Sequence, residues 1–223
     1  MYNHFNCKVN TLTFFKKLRL FILLLNFCFC YSLCAGEFDK MKCSTWKLNT
    51  SNPGKFEEFK RLFAKYGSAL ETSHIDLKEI DADPVKVVAH KASHLGDNII
   101  VEDTSLDIEG ASVGVNIRWL LDHLSEYAGR KAEWTVLLAF RQDNQIYIFK
   151  GSVSGTIVHP RGTAGFGFDP VFLPNGATET LAESKPDVVN ARAKAVESLL
   201  KGEVWTKHPV IENWTGPWQK NDH

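Results

Sequence analysis

An α/β fold built on a mixed sheet is predicted by three observations. Between residues 44 and 103, β-prone runs alternate with apolar positions at helical spacing. Two long β-prone runs then face each other across a polar turn, which makes part of the sheet antiparallel. A further helical periodicity closes the chain near residue 200. The chain has 223 residues. With the first forty set aside, the remaining ~180 suffice to bury roughly 70% of the unfolded chain's surface in one globular unit.

"STWKLNT" (44–50) reads as the first strand, and Pro53 fits the first turn of a helix, where a missing N–H costs nothing. Phe56, Phe59, Leu62, Phe63 and Tyr66 form that helix's apolar stripe, and Gly67 ends it. "LETSHIDL" (70–77) supplies a second strand. Asp83-Pro84 opens a second helix through Val85, Val88, Ala89, Ala92 and Leu95, closed by Gly96. "NIIVED" (98–103) is a buried strand ending in two carboxylates. A third helix is expected from Val115 to Tyr127. "EWTVLLAF" and "QIYIFKGSVSGTIV" make a hairpin across "RQDNQ", and the last helix runs from Asp187 to Lys201.

Charge and cysteine usage narrow the function classes. Lys plus Arg and Asp plus Glu both number 26, so no global field favours nucleic acid or an acidic membrane, and any anion must be met locally. The five cysteines all lie within the first 43 residues, which argues against a disulfide framework, and their apolar surroundings argue against zinc.

Residues 1–40 form an N-terminal extension. Lys16, Lys17 and Arg19 precede an apolar run, Leu20–Leu33, too short to span a bilayer. Three readings stay open. Either Met41 is the true start and the protein is cytoplasmic, or residues 1–36 are an export signal, or the segment is a native cytosolic extension. The main domain is placed at 41–205, followed by a tail at 206–223.

Three segments carry chemistry. "TSNPGK" (50–55) joins a strand to a helix N-terminus, where free N–H groups and Lys55 would attract an anion; capping by Ser51 or Asn52 is the plainer alternative. Glu102 and Asp103, with Glu79, are three carboxylates without histidine or cysteine, a donor set suited to magnesium, or else solvated strand-end acids. In "GTIVHPRGTAGFGFDPVF" (155–172), Gly155, Gly162, Gly165 and Gly167 permit close backbone approach. Phe166 and Phe168 offer flat faces that could stack on a base or fill a core, and Asp169 is held extended before Pro170.

Together these segments resemble the inosine/xanthosine triphosphate pyrophosphatases, across about residues 47–200. The resemblance is carried by "TSNPGK", "VEDTSL" (101–106), "NIRWLL" (116–121) and "SGTIVHPRGTAGFGFDPVFLPNG" (154–176). It implies an elongated twisted sheet with flanking helices, forming two lobes around a nucleotide cleft. It further implies Mg2+-dependent hydrolysis of ITP, dITP or XTP to the monophosphate and pyrophosphate, by a homodimer without nucleic acid or stable membrane association.

By the same resemblance, Thr50, Ser51, Asn52, Lys55 and Lys91 would grip the triphosphate, and Glu79 and Asp103 would hold magnesium. Glu102 or Asp103 would orient or deprotonate water. Thr104 and Arg118 would contact the nucleotide, and Phe166, Gly167, Phe168, Asp169, Lys185 and Arg192 would form the base pocket. One departure stands out: Asn190-Ala191-Arg192 replaces the family's Ser-His-Arg. The alternative it raises is a nucleotide-binding protein of the same fold with weak or shifted activity.

Overall fold

The computed structural model describes residues 45–111 and 117–219. The readings made for residues 1–44, for Val115 and Asn116, and for 220–223 therefore lie outside the described residues. One seven-stranded sheet contains β1 (Thr45–Asn49), β2 (Ala69–Ser73), β3 (Ile99–Ile108), β4 (Lys131–Gln142), β5 (Gln145–Ile157), β6 (Phe172–Pro174) and β7 (Thr206–Pro209). Its order is β2-β1-β3-β4-β5-β6, with β7 also on β5. The helices are α1 (Pro53–Lys65), α2 (Pro84–Ser93), α3 (Ile117–Asp122), α4 (Leu124–Tyr127) and α5 (Ala191–Lys201). Among the described residues no helix is long and apolar enough to cross a membrane.

The sheet is mixed, and β3 is where its sense changes. β1 runs parallel to β2 and to β3, whereas β4, β5, β6 and β7 add antiparallel ladders. Leu48 pairs with Ile100, so β1 ends just as β3 reaches Val101 and Glu102. The Thr50–Asn52 loop thus leaves β1 beside the two acids of β3. A crevice at the carboxyl end of parallel strands is where open α/β sheets bind ligands.

The helices pack mainly by the faces their sequences predict, but Tyr66, read as part of the first helix's apolar stripe, is exposed just past its end. Phe59, Leu62 and Phe63 of α1 are buried, as are Val87, Val88, Ala89 and Ala92 of α2. Val88, Ala89 and Ala92 join Val101, Leu137, Ala139, Ile146 and Ile148 in one apolar cluster. Burying the valine, leucine, isoleucine and phenylalanine side chains among these contributes about 1.5–3 kcal/mol each. Helix α5 lies directly on β5 at Gly151: a Cβ there would stand 2.1 Å from the Ala191 carbonyl oxygen and 2.4 Å from the Ala195 nitrogen. Only glycine permits that approach.

Several elements differ from expectation, each for a local reason. β2 stops at Ser73 because the Asn49 side chain takes over the next backbone groups, accepting from the Ile75 N–H at 2.8 Å and donating to its carbonyl at 2.9 Å. The third helix is broken at His123, whose ring nitrogen meets the Trp119 carbonyl at 2.8 Å. The last helix begins at Ala191, after a 3-10 turn at Asp187–Val189, because Asn190 Oδ1 caps the Arg192 and Ala193 N–H groups. The hairpin turns on Asp143-Asn144 alone, with Asp143 at φ 55°. β6 and β7 are additions, three and four residues long.

Candidate active site

The loop after β1 sets the first wall. Asn52 is the N-cap of α1, its Oδ1 accepting from the Lys55 N–H at 3.0 Å, and Thr50 Oγ1 accepts from the Asn52 N–H at 3.2 Å. Such a cap is worth about 1 kcal/mol and fixes the first turn of the helix. Lys55, in that turn, reaches across to β3 and donates to Glu102 Oε2 at 2.6 Å.

Glu102 is almost fully enclosed, and its oxygens are engaged by Lys55 and by the Thr104 hydroxyl. Burial alone would raise its pKa, but Lys55 and Arg192, with the hydrogen bonds, hold it down to about 2. Asp103 behaves oppositely. Burial and the neighbouring Glu102 and Glu79 charges push its carboxyl above the ordinary value, although Lys91 partly offsets them. Lys91 projects from α2 and stands 2.6 Å from Glu79 and 3.3 Å from Asp103. Burial would depress the Lys91 ammonium, yet those two acids raise its pKa.

Among the described residues no three His, Cys, Asp or Glu side chains form a metal cage. Glu79 and Asp103 nevertheless converge on one ammonium, so two oxygen donors already face a common positive charge. Two carboxylates without nitrogen or sulfur ligands fit magnesium, which keeps several waters and takes further oxygens from phosphates.

At the far end Arg192, 4% exposed, lies 4.8 Å from the Phe166 ring centre and 5.3 Å from that of Trp134. Its guanidinium meets Glu58 at 3.2 Å and Glu102 at 3.6 Å. Asp169 is buried, accepts from the Phe166 N–H at 3.0 Å, and pairs with Lys185 at 3.0 Å. Gly165 and Gly167, at φ 76° and 62°, give the turn its left-handed conformations. At Gly165 a Cβ would stand 2.2 Å from Asp169 Oδ2.

A cavity of about 690 Å³ joins the two ends, lined by Asn52, Lys55, Glu79, Asp103, Phe166 and Arg192 among others. A second of about 460 Å³ adjoins it, with Thr50, Ser51, Lys91 and Glu102 in its walls. Thr104, Gly167, Phe168 and Asp169 line the first cavity. Lys185 lies on the other side of Phe166, in a third cavity that also includes Phe166 and Asp169. The structure does not bring Arg118 into these linings: it is exposed on α3, and its neighbour Ile117 lines the large cavity. Ala191 is fully buried and is not a lining residue.

Sequence reasoning missed Glu58, which gathers Lys185, Arg192 and Asn190. Its position three residues after Lys55 on one helix face was the available signal. It missed Trp134 as well, which reads only as a sheet residue, and Gln219, which lines the cavity from far along the chain.

The sequence model of the Ham1 family matches residues 46–202. The chain belongs to the Ham1 family. Similar proteins include a dITP/XTP pyrophosphatase of Pyrobaculum aerophilum, 35% identical over 173 residues, covering 69% of this chain and 92% of that protein. An inosine triphosphate pyrophosphatase of Yarrowia lipolytica is 34% identical over 170 residues, covering 67% of this chain and 90% of the relative. A solved HAM1 protein from Coxiella burnetii shares the fold, with a TM-score of 0.58 at 24% identity over 72% of this chain and 98% of that one. The Ham1 match ends at residue 202, so β7 and the cavity residue Gln219 lie beyond it.

Proposed function

We propose that this protein hydrolyses deaminated purine nucleoside triphosphates (ITP, dITP and XTP) to the nucleoside monophosphate and pyrophosphate. The observation that carries this reading is one cavity with Lys55 and Asp103 at one end and Arg192 over Phe166 at the other. The relatives named as dITP/XTP and inosine triphosphate pyrophosphatases support it.

Lys55 and Lys91, with the backbone around Asn52, bind the triphosphate oxygens. Glu79 and Asp103 would hold magnesium, which when bound neutralises charge on the departing pyrophosphate. Glu102 has its oxygens committed to Lys55 and Thr104, so it orients the site. Asp103 takes the proton of the water that attacks the α-phosphorus. Phe166 stacks on the base and Arg192 donates to its 6-keto oxygen. Adenine presents an amino donor to the same guanidinium, and a mismatch of that kind costs about 1–3 kcal/mol. A homodimer, on the family resemblance, and a cytoplasmic location are both part of this proposal.

Pyrophosphate release measured across ITP, dITP, XTP, ATP and GTP, with and without magnesium, tests the reading. Release from the deaminated substrates at least tenfold faster than from ATP and GTP is expected. Equal rates would end the specificity claim, and no release would end the enzyme claim. A binding protein with little turnover is the second reading; it rests on the missing histidine of Asn190-Ala191-Arg192, although Ala191 itself is buried outside the cavity lining. Tight ITP binding by calorimetry without hydrolysis would select it.

A further inference from the structure

Residues 210–219 cross the fold as a strap. Past β7, the Ile211 N–H donates to Ser93 Oγ on α2 at 2.9 Å. The Asp81 N–H donates to the Pro217 carbonyl at 3.0 Å, and the Gln219 N–H to the Glu79 carbonyl at 3.0 Å. Ile80 and Trp218 form an antiparallel bridge, and Gln219 Nε2 donates to the Ile80 carbonyl at 3.1 Å.

Side chains lock the same contact. Trp214 Nε1 donates to the Pro217 carbonyl at 2.8 Å. The Trp218 ring meets His90 of α2 edge-on at 5.5 Å, and Lys78 lies 4.8 Å from its centre. The strap therefore ties together the two elements that carry Glu79 and Lys91, since Lys91 follows His90 on α2. Both of those side chains converge with Asp103.

We propose that residues 211–219 are a positioning element for the divalent-cation site, fixing the backbone of Glu79–Asp81 so that the Glu79 carboxylate is aimed at Asp103. Gln219 is its terminal positioning residue and forms part of the cavity rim beside Glu79. This rests on the reading of Glu79 as a magnesium ligand. A carboxylate on a backbone held at three consecutive residues, 79 to 81, enters the metal shell with less ordering to lose, which raises affinity without a new contact.

The test uses the full chain and two variants. Gly216→Ala places a methyl group 2.4 Å from the Trp214 ring, which forces the strap off its latch. Gln219→Ala removes only the side-chain bond to Ile80. Mn2+ binding is followed by water-proton relaxation, with and without a non-hydrolysable α,β-imido analogue of ITP, and Glu79→Ala serves as the reference. Mn2+ affinity should fall at least threefold in Gly216→Ala and less in Gln219→Ala. In steady state the half-saturating magnesium concentration should rise in parallel, while the ITP:ATP preference at saturating magnesium stays unchanged.

If Glu79→Ala weakens Mn2+ binding and Gly216→Ala does not, the strap has no such role, although Glu79 keeps its own. If Glu79→Ala also leaves Mn2+ binding intact, the ligand reading of Glu79 fails and this proposal with it. A change in ITP:ATP preference without a change in magnesium dependence would equally overturn it.

Discussion

Glu102 and Arg192, both buried, approach to 3.6 Å between Oε1 and Nε. Lys55 holds the other oxygen of Glu102 at 2.6 Å, so one carboxylate links the phosphate end of the cavity to the base end. Removing it leaves Lys55 without its carboxylate and Arg192 with Glu58 alone. Glu102→Gln is expected to destabilise the fold by about 3 kcal/mol, since breaking a buried ion pair leaves charge uncompensated. Urea denaturation checks this, and an unchanged midpoint would show that water reaches the pair.

Asp103→Asn should separate catalysis from folding. Its carboxylate is disfavoured by burial and by two neighbouring acids, so neutralising it removes repulsion. Pyrophosphate release should fall at least a hundredfold, with the melting temperature unchanged or slightly raised. Near wild-type turnover would transfer the catalytic role elsewhere.

Lys55→Ala is expected to raise the KM for ITP at least tenfold, through loss of the charge nearest the polyphosphate. The kinetic split is the informative readout. A fall in kcat with KM untouched would make Lys55 a partner of Glu102 rather than a phosphate ligand.

Gly151→Ala tests the seating of α5. The added methyl would overlap the Ala191 carbonyl and the Ala195 nitrogen, so the helix must rise from the sheet, at about 1–3 kcal/mol. Arg192 sits in the first turn of that helix. The ITP:ATP preference should decline along with stability, and preserved selectivity would show that Arg192 is held by Glu58 and Glu102 regardless of the helix.

His90 gives the stability a pH dependence. Burial, and then the charge of His94, lower its pKa below the usual histidine value. In the unfolded chain the ring takes up a proton near pH 6.5, whereas the folded form does so only at lower pH. The unfolded state thus binds more protons in that window, and stability falls as pH drops below about 6.5. Melting temperatures from pH 8 to 5 should decline more for the wild type than for His90→Leu.

Much of the fold was legible because its signals are local. The strand–turn–helix at residues 45–65, the helix opened by Asp83-Pro84 and the long hairpin follow from periodicity, caps and turn residues. What was missed depends on partners distant in sequence. β6 and β7 exist because the free edge of β5 recruits them. The break at His123 depends on a side chain competing for the Trp119 carbonyl, which composition does not show.

The site divides in the same way. Lys55, Glu102, Asp103, Phe166 and Asp169 were named from motifs and do line the adjoining cavities. Glu58 and Gln219 were not, because each acts through contacts more than a hundred residues away, to Arg192 and to Ile80. Arg118 matched its motif, but α3 turns it outward to solvent.

β3 is joined to β1 by only two residue pairs, Lys47 with Ile99 and Leu48 with Ile100, and to β4 by eight. Under a pulling force that short seam has the fewest rungs to break, and β1 would peel away with the Lys55 side attached. The molecule's mechanical weak line therefore runs through its chemical centre, and a polyanion paired with Lys55 and joined through a divalent cation to the acids of β3 would act as a staple across it.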